Sequence, residues 1–160
     1  MQNKFLSTYG KDIEGVKIIP QHRILDERGG VLHMLKNTDE IFIDFGEIYF
    51  SFAYPRCIKA WHIHKKMYLN NCVVSGNIKL VLYDMRDNSK TKNNLLEIFI
   101  GCNNHCTVQI PPGIANGYTP LGQDTAIIAN CATIPHDPNE IIYIDPFNNE
   151  IPYNWDIKHK

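Results

Sequence analysis

Neither charge is in excess in this chain of 160 residues: 16 lysines and arginines face 17 acids, a formal net charge of -1. There is thus no basic field for nucleic acid and no polybasic patch for a membrane surface. No apolar run approaches the ~20 residues of a membrane span, and Met1 to Ser7 lack the apolar core of a signal peptide. Five cysteines (Cys57, Cys72, Cys102, Cys106 and Cys131) are an odd number without CxxC spacing. Reduced thiols in a cytoplasmic protein follow, with Cys72 and Cys131 acting as small hydrophobes in apolar strands. No window of about 11 residues carries an apolar stripe at helical spacing. Internal repeats, linkers and low-complexity segments are missing too, so the length predicts a single domain over 1–160, large enough to bury a core. A hydrophobic content of 44% with 21% charged residues is ordinary for a globular protein.

What the chain does have is alternation. From Glu47 to Tyr54, Ile48, Phe50, Phe52 and Tyr54 share one face, and Glu47, Tyr49 and Ser51 the other. The apolar face calls for burial between sheets or against a partner. The polar face meets solvent, or lines a pocket if the fold is wide enough to hold a ligand. Ile78 to Tyr83, Leu95 to Ile100, Thr107 to Ile110 and Thr125 to Ala129 read as further strands. Turn signals separate them at Gly29-Gly30, Tyr54-Pro55, Ser75-Gly76-Asn77, Asp87-Asn88-Ser89, Pro111-Pro112-Gly113 and Pro138-Asn139. Short, evenly punctuated strands predict an all-β sandwich or barrel.

The chemistry concentrates in Lys59-Ala60-Trp61-His62-Ile63-His64-Lys65-Lys66. On a strand, imidazoles at i and i+2 point the same way. Two general bases flanked by cations suit taking a proton from carbon and stabilising the resulting anion. They suit a divalent metal as well. Seen alone, such a pair is more often two ordinary hydrogen-bonded strand histidines.

Further stretches narrow the choice. Gly15 to Pro20 and Asp26-Glu27-Arg28-Gly29-Gly30 are similar to a G-V-x-x-x-x and D-x-R-G opening, and Lys59-Ala60-Trp61-His62 to R-G-L-H. Counted back from His62, Glu47, Tyr49 and Ser51 fall on a Q-x-N-x-S strand. Asp84 to Thr91 is similar to D-x-R-x-x-S-P-T, and Ile110 to Tyr118 to I-P-x-G-F-A-H-G-F. Pro138 to Glu140, Asp145-Pro146 and Ile151 to Trp155 follow P-x-x-E, D-P and I-x-W-P. Over about residues 13 to 157 the chain resembles the dTDP-4-dehydrorhamnose 3,5-epimerase family, which are cupin-type jelly rolls (double-stranded β-helix barrels) acting on nucleotide-linked 4-keto-6-deoxysugars. The departures matter. Lys59 keeps the charge of the family's arginine but loses its bidentate fork. The family's lysine falls on Leu69, leaving Lys65 or Lys66 to replace it. The tyrosine that serves as opposite-face acid has no counterpart, His136 being nearest. The family's C-terminal carboxylate behind the histidine has none before Lys160, so a single epimerisation, or a different isomerisation, is expected in place of the full double epimerisation.

His62-Ile63-His64-Lys65 is also similar to the H-A-H-K of the dTDP-4-keto-6-deoxyglucose 3,4-ketoisomerases, over roughly residues 59 to 84. Both reactions begin by removing a proton next to a ketone and differ in where it returns. A sugar-nucleotide-binding cupin without catalysis is a third reading. For that shared step His62 is the candidate base, Asp84 a candidate orienting carboxylate and His136 the candidate acid on the other face. Lys65 or Lys66 would stabilise the enolate, and Arg28 and Lys59 would hold the diphosphate. Trp61 or Tyr118 would stack on base or sugar, although packing is the commoner role for such a tryptophan. Glu47, His64 and Asn116 complete the substrate-binding set. Metal-dependent cupins add to H-x-H a nearby glutamate and a histidine in P-x-G-x-x-H. Here no acid occurs from Lys65 through Gly76 and the last position is Asn116, so no metal or other cofactor is expected. A nucleotide-diphospho-sugar and a second subunit, forming a homodimer, are the implied partners.

Overall fold

Alternating side chains become strands throughout the computed structural model, which describes residues 8–159; thirteen strands and no helix occur among them. Met1 to Ser7, read above for targeting, lie outside the described residues. The larger sheet runs β1 (Thr8–Gly10), β9 (Leu95–Gly101), β8 (Asn77–Asp84), β11 (Ile114–Pro120), β6 (Lys59–His64) and β13 (Ile141–Tyr143) in spatial order. The smaller runs β2 (Lys17–Pro20), β10 (Cys106–Ile110), β7 (Leu69–Ser75), β12 (Ala126–Ala132) and β5 (Glu47–Ala53). Neighbours are antiparallel, and strands adjacent in space are mostly distant in sequence, the crossover pattern of a cupin-type jelly roll. Among the described residues no helix is long and apolar enough to cross a membrane.

Period-two alternation sorts the core. On β8, Leu80 and Leu82 face the space between the sheets, where they meet Val73, Ile98, Val108, Ile110 and Ile128. Val81 and Tyr83 face outward into a second cluster with Trp61, Ile63 and Ala115, capped by Ile151 and Trp155. Apolar residues on both faces explain why Leu80 to Tyr83 reads as a continuous hydrophobic stretch. The smaller sheet is covered on its outside by residues 33–46. There Gln109 Nε2 donates to Ile41 O at 2.6 Å and to Asn70 Oδ1 at 2.9 Å. Gly76, at φ +74°, is all that separates β7 from β8, so the chain swings between sheets at a residue free of the β-carbon penalty. All five cysteines are unpaired.

Three expectations change. The turn placed at Gly29-Gly30 lies one step earlier, at Glu27-Arg28: both glycines begin β4 (Gly29–Leu32), which pairs with β3 (Arg23–Asp26) in a hairpin outside either sheet. On β5 the polar face turns inward. Ile48, Phe50 and Phe52 instead stand 51%, 56% and 58% exposed on an edge strand. Asp84 is not the orienter of His62. Its fully buried carboxylate organises the turn after β8, Oδ1 accepting from Arg86 N and Nε, and Oδ2 from Arg86 Nη2, Ser89 Oγ and Thr91 Oγ1. With these donors spent on it, nothing remains for an imidazole. Arg86 Nη2 also donates to Glu14 O, tying the turn to the N-terminal segment.

Burial would raise the Asp84 carboxyl, but the bonds from Arg86, Ser89 and Thr91 outweigh it and hold it below the usual carboxylate range. A depressed folded value means that the stability it contributes is present above about pH 4 and lost as pH falls further. Asp84→Asn should cost about 2–3 kcal/mol in urea unfolding at neutral pH, and the difference from wild type should shrink in acid.

Candidate active site

The inward face of β5 meets the inward face of β6 across a cavity of about 390 Å³. That is room for a sugar ring, at the lower end of ordinary ligand pockets. From β6 come Lys59, His62 and His64, from β11 Asn116 and Tyr118, and from β5 Glu47, Tyr49 and Ser51. His136 and Tyr143 stand at the rim, exposed to solvent.

Alternation puts His62 and His64 in the cavity, and Trp61 and Ile63 in the outer cluster. Trp61 is 1% exposed, its ring centroid 5.0 Å from that of Trp155, so it packs and does not stack on a ligand. Lys59 breaks the alternation, because strict period two would place it beside Trp61. On β11 the partners step from Asn116, opposite His62, to Tyr118, opposite Lys59, so β6 holds one extra residue there. The bulge re-aims Lys59 inward. Its Nζ donates to Ser51 Oγ at 2.7 Å and to Phe52 O at 3.1 Å, and Ser51 Oγ lies 2.8 Å from Tyr118 Oη.

The two imidazoles differ. No hydrogen bond reaches the His62 ring among the described residues; it packs edge-on against Tyr143, centroids 5.2 Å apart. Burial, then the neighbouring His64 and Lys59, push its pKa down to about 4. His64 is 7% exposed, with Nδ1 2.7 Å from Glu140 Oε2. Glu140 Oε1 accepts from Lys66 N at 2.8 Å and Met67 N at 2.7 Å. Burial would raise this carboxyl; the Met67 amide, His64 and the Lys66 amide together bring it below the usual value. Across the cavity, Tyr49 Oη accepts from Asn130 Nδ2 at 2.8 Å, and Glu47 Oε1 is buried with no protein partner. Asn116 Nδ2 donates to His62 O at 2.8 Å. No three His, Cys, Asp or Glu side chains among the described residues converge as metal ligands.

Four candidates lie elsewhere. Arg28 sits at the hairpin tip, its side chain 87% exposed and paired with Asp26 at 2.5 Å. Lys65 Nζ turns out to Asn139 O, 2.8 Å away, and Lys66 is exposed, contributing only its amide. Within this subunit neither lysine lines the cavity, because β6 ends at His64 and the chain turns toward Glu140. Asp84 is committed to its turn. Conversely, the sequence assigned no role to Glu140 or Tyr143. Glu140 stood in plain view in the P-x-x-E stretch, but its partner lies 76 positions away. Tyr143 reaches the site only because β13 pairs it with His62.

A family model described as dTDP-4-dehydrorhamnose 3,5-epimerase matches residues 10–160. The chain belongs to that family. The spore coat polysaccharide biosynthesis protein SpsL of Bacillus subtilis is 32% identical over 144 residues, which cover 90% of this chain and 91% of SpsL. The probable low-salt glycan biosynthesis epimerase Agl13 of Haloferax volcanii is 31% identical, over 81% of each chain. Among solved structures, a dTDP sugar isomerase from Desulfovibrio desulfuricans superimposes with a TM-score of 0.87 at 38% identity, covering 89% of this chain and 92% of that one.

The depressed value at His62 makes a direct test. The neutral ring is favoured by folding, so its contribution is present above about pH 6.5 and lost as pH falls toward 4. Nitrogen-15 imidazole spectra should show His62 neutral from about pH 5.5 upward, titrating near pH 4.

Proposed function

We propose that this protein is a metal-independent epimerase of a nucleotide-linked 4-keto-6-deoxysugar, working in cell-surface polysaccharide biosynthesis. The observation that carries this reading is the pair of inward imidazoles sharing one sugar-sized cavity with Lys59, in a chain of the epimerase family. Carbon next to a ketone becomes acidic when the developing enolate is stabilised. The pair supplies both a proton acceptor and a neutral N–H donor. Lys59 supplies positive charge for the diphosphate, and the orphaned Glu47 oxygen accepts from a sugar hydroxyl. His136, exposed at the rim, and Tyr49, on the facing wall, are the groups available to return a proton from the other side. The five unpaired thiols and such a substrate suit the cytoplasm.

Incubated in deuterium oxide with dTDP-4-keto-6-deoxyglucose, the protein should place deuterium next to the ketone and release an inverted product. Chelator should change neither. A carbonyl moved from carbon 4 to carbon 3 would establish the ketoisomerase reading, which the shared inward face of His62 and His64 favours second. Binding without exchange would mark a silent sugar-nucleotide cupin.

The working unit in this reading is a homodimer. An edge strand with Ile48, Phe50 and Phe52 facing out, and a hairpin outside either sheet carrying exposed Ile24, Leu25 and Val31, are apolar surfaces needing cover. A lone hairpin is marginal in water. Its Arg28 serves a diphosphate only where the hairpin tip meets another subunit's cavity. Sedimentation velocity should give a dimer, and Phe50→Asp should give a folded monomer.

A further inference from the structure

Two histidines face the same cavity, but only one has what a base needs. We propose that His64, held by Glu140, is the proton acceptor of the reaction, while His62 stays neutral and donates a hydrogen bond to the ketone oxygen. This deepens the epimerase reading and rests on it.

Three observations carry the assignment. The contact of 2.7 Å between His64 Nδ1 and Glu140 Oε2 fixes the proton on Nδ1 and leaves Nε2 as the lone-pair nitrogen of a cavity-lining ring. The carboxylate is itself immobilised by the Lys66 and Met67 amides, so it stays ionised and in place as the ring gains charge. His62 has neither support: no carboxylate bonds it among the described residues, and a cation there would arise beside Lys59. Its depressed pKa suits a neutral N–H donor to a developing enolate oxygen.

The C–H electron pair becomes the enolate C=C bond, the carbonyl π pair moves to oxygen, and the proton passes to His64 Nε2. A proton returned to the opposite face from the far wall re-forms the ketone with the carbon inverted. His64 then gives its proton to solvent, and the far-wall acid regains one. The carboxylate absent behind His62 is thus present, two residues further along the same strand face.

The test is deuterium wash-in, together with kcat and KM across pH, for His64→Asn, Glu140→Gln and His62→Asn. His64→Asn should lower wash-in by about 10²–10⁴-fold. Glu140→Gln should lower kcat by about 10–100-fold at unchanged KM and move the acid limb of the profile to lower pH, because the new cation loses its counter-charge. A merely structural Glu140 would leave that limb where it was. The groups facing His64 are Glu140, His62, Lys59, Glu47, the three cavity tyrosines and, at the rim, His136; Lys65 turns away to Asn139. His62→Asn should slow wash-in yet leave the acid limb unmoved. Should Glu140→Gln fail to fold, His64→Gln leaves the Glu140 loop tied to its amides and is expected to lose wash-in equally. The assignment is overturned if His62→Asn alone abolishes wash-in while His64→Asn or His64→Gln retains it. No wash-in by wild type would overturn the epimerase reading and this assignment together. Wild-type wash-in with an unmoved Glu140→Gln profile would overturn this one alone.

Discussion

One carboxylate ties the site to the fold. Glu140 reaches back from the segment before β13 to bond His64 at the end of β6 and the amides of Lys66 and Met67 just beyond it. Those residues lie 76, 74 and 73 positions away in sequence. A single side chain therefore closes the loop after β6, satisfies two backbone donors that burial would leave expensive, and sets the tautomer of a cavity imidazole. The backbone repeats the tie, Lys65 N donating to Glu140 O at 2.9 Å. Remove the carboxylate and the loop loses its closure at the place where the histidine needs a fixed nitrogen. Stability and chemistry share that one group.

The second constraint is the inversion of β5. Strands at a sheet edge ordinarily hide aromatic side chains and show polar ones, whereas here Glu47, Tyr49 and Ser51 line the cavity and Ile48, Phe50 and Phe52 face out. A cavity polar enough for a sugar needs polar side chains on both walls, and period two then forces the apolar residues to the other side. A cover for that side is the structural counterpart of a polar pocket. The same arithmetic runs reversed on β6, where inward histidines commit Trp61 and Ile63 to the outer cluster under Ile151 and Trp155.

Much of this was readable in the chain. Alternation located the main strands to within one to three residues at either end, the turn residues located most breaks, and the histidine pair lies in the cavity. What escaped has a common cause. Asp84 looked like a free carboxylate because nothing local says that Arg86, Ser89 and Thr91 converge on it, although all three lie within seven positions. Lys59 reached the cavity by a bulge, and bulges leave no periodic trace. Glu140 and Tyr143 depend on β13 pairing with β6, a contact between strands far apart in sequence that no window of a single strand reveals. Arg28 sits on a hairpin with no sheet of its own, so its surroundings depend on what covers the hairpin.

The division between the two imidazoles follows from charge placement. Burial first, then the neighbouring His64 and Lys59, depress the basicity of the His62 ring, while Glu140 stands behind His64. A proton arriving at His64 becomes part of an ion pair; at His62 it would add a second cation beside the first, in a buried place. An enolate has the opposite sign. Its oxygen gains from a neutral N–H, and would gain nothing from a carboxylate close by. The strand face thus carries a gradient, from Lys59 through His62 to the His64–Glu140 pair, along which negative charge is favoured at one end and positive charge at the other. Proton abstraction separates charge in that sense, and a site built on two equivalent histidines would have no direction to favour.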